Sequence, residues 1–97
     1  MVAFRIEKTD GTGVAEDFMY LFAGMPNLNE DFTVSQLAKF AAPVCAFPSR
    51  QMLLARFDRR SLRTVLTAGY TIRPYFVSDY AVGASGQQVI FNHGVAA

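Results

Sequence analysis

The residues of this chain best suited to chemistry are its arginines. Arg56, Arg59, Arg60 and Arg63 fall within one stretch, ARFDRRSLRTVLTAGYTI, which runs directly into β-branched and aromatic residues. A guanidinium is a planar fork of donors that matches phosphate oxygens and base edges. At 100° per residue, the four side chains fall within about 100° of one another on a helix. Leu53, Leu54, Phe57, Leu62, Val65 and Leu66 centre on the opposite side. Four neutralised phosphates would give log K a slope of about −3.6 against log salt, roughly a 150-fold loss for a fourfold rise in salt. The plain alternative is a solvated helix face, since arginine is a good helix former and charge runs are most often simply hydrated. Asp58 and Ser61 disturb the pattern by falling inside the apolar arc. A buried, unpaired carboxylate costs several kcal/mol. Either Asp58 finds a partner, or the helix breaks there and Asp58 caps a second segment. One continuous, kinked helix is the expectation.

Other candidate chemistry is sparse. His93 is the only histidine and Cys45 the only cysteine, so a zinc site would be short of ligands. Cys45 sits in APVCAFP, an apolar setting that suits an inert thiol. TDGTG has the G-x-G spacing but lacks the third glycine of a dinucleotide loop and the Lys-Ser/Thr of a phosphate loop. It reads as a turn. The pairs Glu16–Asp17 and Glu30–Asp31 suit the first turns of helices. Arg73 lies among Tyr70, Tyr75, Phe76 and Tyr80, aromatics that could stack on bases but more often form a core. No catalytic residue, metal ligand or cofactor is expected, and the chain reads as a binding protein rather than an enzyme.

The whole is one domain, residues 1–97, too short for two separate cores. Apolar residues make up 52% of the chain and charged residues only 18%. So small a domain cannot bury all of that apolar matter, which points to a protein partner or a homo-oligomer. No stretch is long and apolar enough to span a bilayer, and MVAFRIEKTDG is no signal peptide. With a single cysteine, this fits a cytoplasmic protein outside any membrane. The net charge is +1, but it is unevenly spread. Residues 1–48 hold three basic and six acidic side chains, whereas residues 49–97 hold six arginines and two aspartates. That asymmetry points to an anionic or acidic partner.

Local patterns give the elements that must position the arginines. VAFRIEK alternates as a half-buried strand, with Phe4 and Ile6 inward and Arg5 and Glu7 outward. Val14, Phe18, Leu21 and Phe22 predict a helix over 14–23, closed by Gly24. MPNLNED reads as a loop. Thr33 and Gln36 form a capping box ahead of VSQLAKFAA, a helix that Pro43 stops. Ser49 is the next cap, opening the arginine helix, and Gly69 closes it. YTIRPYFV reads as a strand that Pro74 confines to an edge or a bulge, and QQVIFNH returns as a second strand. The fold class is therefore α+β, three helices packed on a small antiparallel sheet in the order β-α-α-α-β-β.

TVSQLAKFAA, a turn, a basic helix, and then LTAGYTI leading to a hairpin resemble the winged helix-turn-helix family of DNA-binding domains over about residues 14–92. The prolines between Ala42 and Ser49 and the length of the basic helix depart from that pattern. The resemblance implies a transcription regulator in which Arg50, Arg56, Arg59, Arg60 and Arg63 line the recognition helix, with Arg73 on the wing. The alternative is a protein-interaction or assembly module, such as a viral structural subunit or an inhibitor of host machinery. Its acidic and basic halves would dock head to tail.

Overall fold

The computed structural model describes residues 1–14 and 26–92. The helix expected over 14–23 lies outside these residues apart from Val14, which is buried, and so do Glu16, Asp17, Gly24 and His93. The described residues form a mixed α+β structure of four helices and five strands in two antiparallel sheets. In chain order these are β1 (Val2–Glu7), α1 (Leu28–Asp31), α2 (Val34–Lys39), β2 (Pro43–Ala46), α3 (Arg50–Arg56), α4 (Arg59–Thr67), β3 (Thr71–Phe76), β4 (Ala81–Val82) and β5 (Val89–Asn92).

Side-chain caps set the helix starts. At α2, the Gln36 N–H donates to Thr33 Oγ1 while Gln36 Oε1 accepts from the Thr33 N–H, the reciprocal pair read from the sequence. At α3, the Met52 N–H donates to Ser49 Oγ. Gly69, at φ +98°, closes α4 in the left-handed region that favours glycine. The expected loop at 25–31 instead contains α1, where Glu30 reaches back to the Asn27 N–H. Helix α2 ends at Lys39, and Pro43 opens β2 rather than stopping a helix.

The arginine helix is not continuous. Phe57 and Asp58 have extended ψ values of 125° and 171°. They separate α3 from α4 and reset the helical phase, so Asp58 leaves the apolar arc. Its carboxylate is exposed and accepts the Ser61 N–H at 2.7 Å. That hydrogen bond holds its pKa below the ordinary 3.8. The kinked single helix is thus corrected to two capped helices. A cap satisfies the carboxylate in water, whereas continuity would have buried it.

Strand pairing also differs from a β3–β5 wing. β3 pairs along its whole length with β1, while β5 lies between β2 and β4. The sheets meet where Phe4 and Phe47 exchange backbone hydrogen bonds of 2.9 and 2.8 Å. Because Phe4 bonds toward Phe47, the facing pair Phe4–Pro74 is not hydrogen bonded. The missing N–H of Pro74 therefore falls on the outer side of β3, an edge strand among the described residues, as a proline in a strand requires.

Residues directly opposite across a pair share a face. On one face of the β1–β3 sheet, Phe4, Ile6 and Ile72 pack with Phe47, Leu53, Phe57, Leu62, Val65 and Tyr70, which anchors α3 and α4. On the other face, Ala3 and Tyr75 join Val77 and meet Val44, Ala46, Val89 and Phe91 of the second sheet. The Tyr75 and Phe91 rings lie 5.5 Å apart there. The far side of the second sheet carries Cys45, Ile90 and Ala81 against Leu28, Phe32, Leu37 and Phe40.

A buried carboxylate locks this last layer. Asp31 accepts the Ser85 N–H at 2.7 Å, Ser85 Oγ at 2.8 Å and Gln88 Nε2 at 3.0 Å. Burial raises its pKa, but these hydrogen bonds outweigh it and the net shift is downward. A Cβ built on Gly83 would stand 2.0 Å from Asp31 Oδ2. Gly83→Ala should therefore lower the unfolding free energy by about 1–3 kcal/mol, seen as a lower urea midpoint at unchanged m-value.

Candidate nucleic-acid interface

The break at Asp58 divides the arginines into two groups. Arg59, Arg60 and Arg63 lie on α4, and Arg50 and Arg56 on α3. With the buried Val65 set at zero, Arg59, Arg63 and Arg60 point to about 120°, 160° and 220° around α4, directly away from the core. Thr64 and Thr67 extend the same outward strip, and all five side chains are exposed. Leu62 and Ser61 turn inward and are half-buried. Helix α4 is thus strongly two-sided over only nine residues.

Arg50, Arg59, Arg60 and Arg63 make no ion pair among the described residues; the ion pairs there involve Arg5, Arg73 and Lys39. Their placement is also unfavourable for the fold. Arg50 and Arg59 are the first residues of their helices and Arg60 the second, and neither first turn contains an acidic residue. A cation near the positive end of a helix dipole costs about 0.3–1 kcal/mol. Asp58 offsets part of this at α4. Arg56, in the last turn of α3, is half-buried and favourably placed.

Arg73 is set apart from this group. It lies opposite Arg5 across the β1–β3 pair, on the face turned away from α3 and α4. Its NH1 is 3.2 Å from Glu7 Oε1. Glu7 is fully buried, and its Oε2 accepts from Arg5 Nε at 2.8 Å. The Tyr75 hydroxyl donates to Glu7 Oε1. Arg5 also donates to the Cys45 and Gly11 carbonyls at 3.1 and 3.2 Å. Alternation had assigned Arg5 and Glu7 to solvent. They are inward because this face of β1 is covered by the second sheet.

Cys45 is half-buried, and burial pushes its thiol pKa above the ordinary 9.0 despite the nearby Arg5. No group of three or more His, Cys, Asp or Glu among the described residues could hold a metal ion. No helix there is long and apolar enough to cross a membrane. Sequence reasoning missed a cavity lined by Phe47, Met52, Ala55, Arg56 and Gln87. The capped start of α3 at Ser49 fixes which side chains face it, but the approach of Gln87 was not legible. Comparison with family models, curated proteins and solved structures finds no match to this chain.

The Glu7 cluster makes a spectroscopic prediction. Burial, the bond to Glu7 and its charge push the Tyr75 pKa from 10.0 up to about 12. A raised folded-state pKa means that the neutral phenol stabilises the fold fully below pH 10. That contribution is lost as pH rises from 10 to about 12. Absorbance titration should resolve one tyrosine ionising near the top of that window, and Tyr75→Phe should remove that step.

Proposed function

We propose that this chain is a non-catalytic nucleic-acid-binding protein whose contact surface is the outward strip of α4. The observation that carries the reading is the set Arg59, Arg60 and Arg63. They are gathered on one exposed face and none of them is in an ion pair among the described residues, and Arg59 and Arg60 stand in a first turn whose dipole disfavours them, offset only in part by Asp58. Local choices that oppose stability are expected where a sequence serves binding. Phosphate oxygens supply the missing counter-charge, in the bidentate geometry that guanidinium prefers. Arg50 extends the surface along α3 and Arg56 flanks it. Arg73 is a peripheral contact at most, since it already neutralises Glu7. In the terms of the winged-helix resemblance, α4 takes the place of the recognition helix, and the β4–β5 hairpin, rather than a β3–β5 pair, would take that of the wing. A role in transcription regulation follows only if the bound polymer is DNA.

Three phosphate contacts give log K a slope of about −2.7 against log salt, so a fourfold rise in salt should weaken binding roughly 40-fold. The double variant Arg59→Glu/Arg60→Glu should lose most of that affinity. The same variant should unfold at a higher temperature, each change adding about 0.3–1 kcal/mol. Gel-shift titrations at two salt concentrations, with a thermal melt of each protein, read both effects. Affinity insensitive to salt and to the double substitution would end the reading.

A second reading, self-assembly, is favoured by a different observation. Val34 is 84% exposed and Phe76, at the end of β3, an edge strand among the described residues, is 62% exposed. These are large apolar groups left in water. Under this reading, light scattering should give a mass of at least two chains at high concentration, reduced to one chain by Phe76→Asp. A monomer at every concentration would remove it.

A further inference from the structure

The cavity beside α3 has a volume of about 210 Å³. Met52, Ala55 and Arg56 stand at i, i+3 and i+4, so they form one wall from a single helix face. Phe47 forms the buried floor, its ring edge-on to Phe57 at 6.4 Å between centroids. Gln87, in the turn that follows β4, also lines the cavity. That turn is fixed: the Gln87 N–H donates to Ser85 Oγ, which in turn donates to the buried Asp31. The walls are therefore held by a capped helix, a core aromatic and an anchored turn, which is how a binding surface is kept in shape.

Its size and lining restrict what it takes. Pockets for whole small ligands run from about 300 to 1,000 Å³. This one accepts a single ring belonging to something held mainly elsewhere. Its walls are apolar, while Arg56 contributes only donors and the Gln87 carboxamide both a donor and an acceptor. This pairing of groups meets the edge of a nucleobase, as guanidinium and carboxamide side chains do when they read base edges. The arginine surface begins close by. Arg59 follows Arg56 by three residues, so their Cα atoms are at most ~11 Å apart.

We infer that this cavity receives one unpaired base of a single-stranded nucleic acid whose phosphates lie along α4. The inference rests on the nucleic-acid reading above and adds that the strand is unpaired. A duplex keeps its bases stacked and could fill the cavity only by flipping one out. Apolar contact with Phe47, Met52 and Ala55 suits a pyrimidine, the one-ring base, and Arg56 and Gln87 meet its edge.

The test uses the full chain and three fluorescent probes of equal length: an oligodeoxythymidylate, an abasic strand with the same phosphates, and a duplex. Anisotropy should show the thymidylate strand binding about 5- to 150-fold more tightly than the abasic strand, the range found for one stacked base. Ala55→Leu, at an exposed helix position, should fill the cavity and remove that preference while leaving abasic binding intact. Gln87→Ala, between β4 and β5 and so outside the helix, should reduce the preference without changing the helix. Equal affinity for thymidylate and abasic strands, or tighter binding of the duplex, overturns this inference and leaves the arginine surface standing. Failure to bind all three probes overturns both. Saturable binding of a phenylalanine-containing peptide that ignores Arg59→Glu, without a thymidylate preference, would assign the cavity to a protein partner instead.

Discussion

Two backbone hydrogen bonds between Phe4 and Phe47 set the arrangement of everything else. They join a two-stranded and a three-stranded sheet that otherwise pair separately. With the sheets tied at this point, the Ala3–Tyr75 face of one closes over the Val44–Phe91 face of the other, and small residues at Ala3 and Ala46 let them approach. Each outer face is then free to take helices, α3 and α4 on one side and α1 and α2 on the other. A chain of 97 residues thereby obtains three layers of apolar packing from strands of two to six residues. No strand among the described residues is long enough to do this alone, which is why one bridge matters so much.

The charges are treated in two opposite ways. Glu7 is withdrawn from water completely, with Arg5, Arg73 and Tyr75 all directed at it. Such a cluster returns little net stability compared with apolar packing, yet removing one partner would strand a buried charge. It therefore fixes how β1 and β3 sit against the second sheet. Arg59, Arg60 and Arg63 receive the reverse treatment and are held in solvent, the first two at a helix end that repels them. The same side chain type serves as internal strut in one place and as open surface in the other.

Local features of the fold were legible in the sequence. The Thr33–Gln36 box, the Ser49 cap, the Gly69 terminator and the edge position of Pro74 each depend on residues within a few positions of one another. Asp58 was legible as a conflict, because a carboxylate in an apolar arc must be paired or capped, and the cap won. Pairing was not legible. β3 looks as though it should fold back on the next strand, but it returns to β1, about seventy positions earlier, where Ile6 and Ile72 complete the core around Val65 and Tyr70. The polar alternation of Arg5 and Glu7 misled for a related reason. Alternation marks a solvated face only when nothing covers it, and here a second sheet does. Of the candidate site, the outward direction of the α4 arginines was readable from spacing. The separation of Arg73 and the cavity that Gln87 helps to line were not, since both depend on contacts between distant segments.

The proline in β3 has a consequence for how copies of this chain can meet. An exposed strand normally offers a ladder of donors to any neighbouring backbone, the starting point for fibril growth. With position 74 unable to donate, that ladder is interrupted midway along the strand. Crowded copies are thus steered away from zipping main chain to main chain along β3, an edge among the described residues. Along this edge, contact is left to side chains, which can be selective and reversible.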